Sequence, residues 1–224
     1  MGRIPVYFMP GLAASALIFE NIKLPNDIFE MIFLEWEIPL DNELLSDYAK
    51  RISEKVTHQD PVLIGVSFGG IIVQEMARYI NAKKIIVISS VTNNRQLPWR
   101  MKVAKYTKAY KLIPMNLLMN ADKAPRALFG NLIRQRLDLY QKYLYVKDVK
   151  YMKWAIEQVI TWDRAESDKN VIHIHGDSDQ IFPTRYIKNC ILVKGGTHIM
   201  ILNKFRWLNE NLPKIILNQE LKTN

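Results

Sequence analysis

Cysteine is nearly absent from these 224 residues. Cys190 stands alone, so the chain can form no internal disulfide. That fits a reducing compartment, and a cytoplasmic location is expected. Long apolar runs are missing too: no stretch reaches the roughly 20 residues a membrane span needs. The opening Met1-Gly2-Arg3-Ile4-Pro5-Val6-Tyr7-Phe8-Met9 has too short an apolar part for a secretory signal, and no small-residue cleavage site follows it. Histidine is scarce, with four in all, which leaves little for a metal shell. Internal repeats, low-complexity linkers and nucleic-acid-binding motifs are not found.

What is present reads as one globular unit. Hydrophobic residues make up 49% and charged residues 24%, the ordinary range for such a domain. The net charge of +9 is unevenly placed. Between Arg95 and Arg164 lie 15 basic and 5 acidic residues, while the remaining 16 basic and 17 acidic residues nearly cancel. A segment this basic either attracts an anionic substrate or surface, or is a solvated helical face.

The most informative stretch is Gly65-Val66-Ser67-Phe68-Gly69. Pro61-Val62-Leu63-Ile64 before it reads as a buried strand. Residues 70–79 after it read as a helix, with apolar positions at 72, 73, 76 and 79. A serine on so tight a strand-to-helix turn is the context of a nucleophile elbow. Such a turn strains the serine backbone by about 1–3 kcal/mol. It also requires that Gly65 and Gly69 carry no side chains, and it aims the helix N-terminus at the reacting group.

Around this turn the chain alternates strands and helices. Strands are expected at Ile4–Met9, Phe29–Leu34, Lys84–Ser90, Val171–His175 and Cys190–Val193. Helices are expected at residues 14–23, at Asp41–Val56 with Asp41 as N-cap, and from Met200, with Pro213 kinking or interrupting the last one. Buried strands alternating with amphipathic helices call for a mostly parallel six-stranded sheet flanked by helices. Residues 92–166 break the rhythm. Trp99, Val103, Tyr106 and Tyr110 share one helical face and Lys102, Lys105 and Lys108 another, and residues 126–147 and 148–162 also read as helical. The division expected is a core of residues 1–91 and 167–224 with a helical cap insertion at 92–166. Trp99, Tyr106, Tyr110, Trp154 and Trp162 are candidates for either pocket lining or core.

Ser67, Asp179 and His198 each follow an expected strand, at the edge where open parallel sheets gather their ligands. The order Ser, Asp, His, with an elbow, a Gly176-Asp177-Ser178-Asp179 loop and a Gly195-Gly196-Thr197-His198 loop, resembles the α/β-hydrolase superfamily, and most of all its short bacterial serine hydrolases. The resemblance covers nearly the whole chain, the cap least. It implies a trimmed fold, because Ile4–Met9 matches what the family counts as its third strand. The His-Gly common in the family's first loop is Met9-Pro10-Gly11 here. The resemblance further implies Ser67 as nucleophile, His198 as base, Asp179 as the acid that orients it, and the backbone N–H groups of Leu12 and Phe68 as oxyanion hole. Asp177 is the rival for the acid, although family loops of this type usually use the second aspartate.

The reaction implied is hydrolysis of a small-molecule carboxylic ester or thioester through an acyl-enzyme, without cofactor or metal. Two alternatives stay open: a binding or receptor protein on the same scaffold, and a metal-dependent hydrolase using His173 and His175. The metal reading suffers because Ser178 stands where a further histidine would be wanted. Those two histidines otherwise read as packed and hydrogen-bonded, His58 as exposed, and Ser15 as an N-cap.

Overall fold

A computed structural model of the chain describes residues 2–114, 142–143 and 145–220. Six strands form one parallel sheet: β1 (Ile4–Met9), β2 (Phe29–Phe33), β3 (Val62–Val66), β4 (Lys84–Ile88), β5 (Val171–Gly176) and β6 (Ile191–Val193), in the spatial order β2-β1-β3-β4-β5-β6. The order reverses between β1 and β3, the switch point at which open parallel sheets hold their ligands. Strand β3 is buried on both faces, as a continuous apolar run requires.

Each face carries its own core. Tyr7, Met9, Leu63, Ile85 and Val87 pack against α1 (Leu45–Ser53) and α2 (Phe68–Met76), and α4 (Val149–Thr161) joins this side through Tyr151, Trp154 and Ala155. The alternate residues Val6, Phe8, Val62, Ile64, Ile86 and Ile88 meet α5 (Met200–Asn203) and α6 (Phe205–Ile216) on the other. All nine residues of α2 are buried, which explains its apolar sequence. None of the described helices is long and apolar enough to cross a membrane.

Several elements differ from the sequence reading. Residues 14–23 form only a 3-10 turn, Ala16–Phe19, capped by the Ser15 hydroxyl. Asp41 caps nothing. Glu43 folds back onto the Leu40 N–H and pairs with Arg51, so α1 starts later, at Leu45, and Asp41 pairs with Lys150 instead. Pro213 lies inside α6, and the break in the C-terminal helix falls at Lys204. The helix after the elbow stops at Met76, leaving Tyr79 half-exposed.

The largest difference is in α3 (Trp99–Thr107), none of whose residues is buried. Trp99 is 63% exposed and Tyr106 86%, while Lys102 donates to the Arg95 carbonyl and Lys105 faces Asp163. Lys108, in the left-handed region at φ 56°, ends the helix before Tyr110. Of that expected stripe only Tyr110 is buried, its hydroxyl donating to Glu157. Trp154 and Trp162 are core residues, each donating its indole N–H, to the Glu43 carbonyl and to Glu75. The helix expected over 126–147 falls almost wholly outside the described residues.

Candidate active site

The local fold explains the serine first. Ser67 has φ 52° and ψ −119°, a conformation that only surrounding structure can enforce. Its N–H donates to the Ile88 carbonyl, and its own carbonyl accepts from the Gly70 N–H and from the Ser90 hydroxyl at 2.7 Å. A Cβ on Gly65 would sit 2.2 Å from the Gly69 carbonyl oxygen, and one on Gly69 would sit 2.3 Å from that of Pro10. Both glycines are therefore demanded by backbone passing against backbone, as the spacing predicts.

The hydroxyl, imidazole and carboxylate meet at the C-terminal edge of the sheet. Ser67 Oγ lies 2.9 Å from His198 Nε2, and His198 Nδ1 lies 2.9 Å from Asp179 Oδ2. A carboxylate only accepts, so Nδ1 carries the hydrogen, and Nε2 is left free to accept from the serine. Asp179 is fully buried. Its Oδ1 takes two backbone N–H groups, from Ile181 at 2.8 Å and Phe182 at 2.9 Å. Burial pushes its pKa up, but the His198 hydrogen bond and charge and the Phe182 N–H outweigh that, leaving it below the ordinary carboxylate value. Asp177 points elsewhere, accepting from the Ser178 hydroxyl and the Gly195 N–H. The acid and base loops touch at Gly176 and Gly196, where a Cβ on Gly176 would meet the Gly196 carbonyl at 2.2 Å.

Phe68 N–H opens α2, and Leu12 follows Gly11, whose added Cβ would lie 3.6 Å from that of Ser67. The two backbone segments thus flank the serine. Sequence reasoning missed what holds them. Trp36 donates its indole N–H to the Gly11 carbonyl at 2.8 Å and stacks on Phe68 at 7°. The Tyr151 hydroxyl accepts from the Ala13 N–H at 3.1 Å, and Ala13 has φ 59°. No local pattern marks these contacts, since they join residues 25 and 138 apart. Ser90 was missed for the same reason.

Of the remaining histidines, His58 is exposed and meets the Tyr7 hydroxyl. His173 and His175 are buried against one another. Among the described residues no cluster of three metal-ligating side chains occurs. A cleft of about 400 Å³ reaches Asp179 between Arg100, Gln180 and Arg185. Another, of about 630 Å³ beside Glu75 and Arg164, includes none of the three site residues.

No protein-family model and no curated protein matches the sequence. Solved structures do match it. A bromoperoxidase from Bacillus anthracis is 18% identical, with 97% of this chain and 93% of that one covered at TM-score 0.62. An epoxide hydrolase from Bacillus megaterium is 16% identical, with 98% and 94% covered at 0.64. A thermophilic esterase from Thermogutta terrifontis is 11% identical, with 97% and 91% covered at 0.63.

Proposed function

The chain has the α/β-hydrolase fold, and within it we propose a serine hydrolase that cleaves a small-molecule carboxylic ester or thioester through an acyl-enzyme. The supporting observation is the pair of 2.9 Å contacts that join Ser67 to His198 and His198 to Asp179. A serine hydroxyl is a weak nucleophile at neutral pH and needs such a base. His198 takes the Ser67 proton as Oγ attacks the acyl carbon, then hands it to the leaving alkoxide or thiolate. Asp179 holds the ring in the required tautomer and stabilises the imidazolium. The N–H groups of Leu12 and Phe68 receive the oxyanion, each worth about 3 kcal/mol in the transition state. Water then enters, and the same base releases the acid.

Residues 92–166, apart from the core helix α4 and Trp162, act as the cap that selects the acyl group, and the segment's basic excess favours a substrate that carries an anionic group. For such a substrate kcat/KM falls as salt rises, because exposed charges act over a Debye length of only about 8 Å at physiological ionic strength.

Labelling with a fluorophosphonate probe, followed by a panel of p-nitrophenyl esters, tests the proposal. Modification at Ser67 and ester turnover are the results expected. Turnover that survives Ser67→Ala would refute it.

A further inference from the structure

The scheme above leaves two buried imidazoles unused. His173 and His175 lie two apart on β5, so their rings share one face of the sheet, 3% and 0% exposed. Their nitrogens can be assigned one by one. His175 Nε2 lies 2.8 Å from the Phe182 carbonyl oxygen, which can only accept, so Nε2 carries the hydrogen. In the neutral ring Nδ1 is then bare. It lies 3.2 Å from His173 Nε2, which must be the donor. His173 Nδ1 makes no hydrogen bond of good geometry among the described residues, and the Ser90 backbone lies beside the ring. Burial keeps both rings neutral by pushing their pKa values down.

The chain of bonds leads to Phe182, which contacts the proposed machinery in three ways. Its N–H donates to Asp179 Oδ1, its carbonyl accepts from His175, and its ring meets the His198 ring edge-on with centroids 5.4 Å apart. His175 Nε2 is itself 3.6 Å from Asp179 Oδ2, too far to take that oxygen from His198. We propose that His175 is a positioning residue: its Nε2–H pins the Phe182 peptide, and through it fixes where Asp179 and His198 meet. The inference rests on the serine-hydrolase reading of the site. A neutral donor suits this role better than a cation, which would compete with His198 for the carboxylate.

A ring that only filled space could be replaced by phenylalanine without effect on the chemistry. A positioning donor could not, but the amide of glutamine could stand in for Nε2–H. The test uses the full chain with His175→Phe and His175→Gln. It measures the rate of fluorophosphonate labelling at Ser67 from pH 6 to 9, and kcat and KM for p-nitrophenyl acetate. Expected for His175→Phe is labelling slower by about 10- to 100-fold, a lower kcat at unchanged KM and a displaced pH midpoint, the size of effect that a misplaced catalytic group produces. His175→Gln should recover to within a few-fold of wild type. Wild-type labelling rates in a folded His175→Phe variant, or no recovery in His175→Gln, would overturn the inference. If the phenylalanine variant does not fold, imidazole ¹⁵N shifts of the wild type decide: an Nδ1–H or doubly protonated His175 overturns it, and a neutral Nε2–H ring supports it. Absence of labelling in the wild type would instead bring down the underlying reading.

Discussion

Mild acid should destabilise this protein well before its carboxylates titrate, and His173 is the reason. The ring is 3% exposed, and burial, followed by the neighbouring His175, pushes its pKa from 6.5 to about 3. Below pH 6.5 the unfolded chain binds a proton at this site that the folded chain refuses. The unfolded state then holds more protons, so stability falls as pH falls, from about 6.5 down to about 3. Integrating over that window, the loss from His173 alone is about 2 kcal/mol between pH 7.5 and pH 5. That is a large share of a typical stability of about 5–15 kcal/mol. His175 is shifted in the same direction and adds to the loss. The perturbation to compare is His173→Gln, which removes the titration and keeps a side-chain N–H for His175 Nδ1. Urea unfolding followed by tryptophan fluorescence at each pH is the assay. Wild type should lose about 2 kcal/mol more than the variant between the two pH values, with the urea m-value unchanged. Parallel pH profiles would show that His173 is not held buried and neutral, and would refute the reasoning.

Other outcomes follow from the geometry. Ser67→Ala should lower the proposed ester hydrolysis by roughly 10³–10⁶-fold with little change in melting temperature. Asp179→Asn should lower kcat by about 10⁴-fold, because the amide no longer fixes the imidazole tautomer. Asp177→Asn should stay near wild type, and equal losses in the two variants would contradict the assignment of the acid. Gly65→Ala places a methyl group 2.2 Å from the Gly69 carbonyl oxygen, and should cost more than about 3 kcal/mol or abolish soluble expression. Tyr151→Phe leaves the buried Ala13 N–H without its acceptor, at a cost of about 1–3 kcal/mol in thermal or chemical unfolding. It should also slow acyl transfer, measured as the burst phase, since Ala13 follows Leu12, whose N–H is the proposed oxyanion donor.

Much of the architecture is local, and so could be read from the chain. Mostly apolar runs of four to six residues announced all six strands, and the most continuous of them, in β3, is the strand buried along its whole length. The elbow was legible for a stricter reason. Its two glycines are required by contacts within five residues and with the adjoining loop, so the requirement is written in one short stretch. Caps and helix ends were less legible. Asp41 has the right chemistry for an N-cap, but Lys150 and the Glu43–Arg51 pair decide otherwise, and those partners come from elsewhere in the chain.

The α3 stripe marks the boundary most sharply. Periodicity says which residues share a face, but not whether anything covers that face, and here Trp99, Val103 and Tyr106 are left exposed. Sequence by itself determined the parallel sheet, the strained serine turn and the types of residue available at its edge. Only the tertiary structure decided that Asp179 rather than Asp177 meets His198, and that Trp36, Tyr151, Ser90 and Phe182 hold the site. The physical reason is range: backbone sterics act within a few residues, whereas a hydrogen bond such as that from Ala13 to Tyr151, 138 residues apart, exists only once the chain has closed on itself.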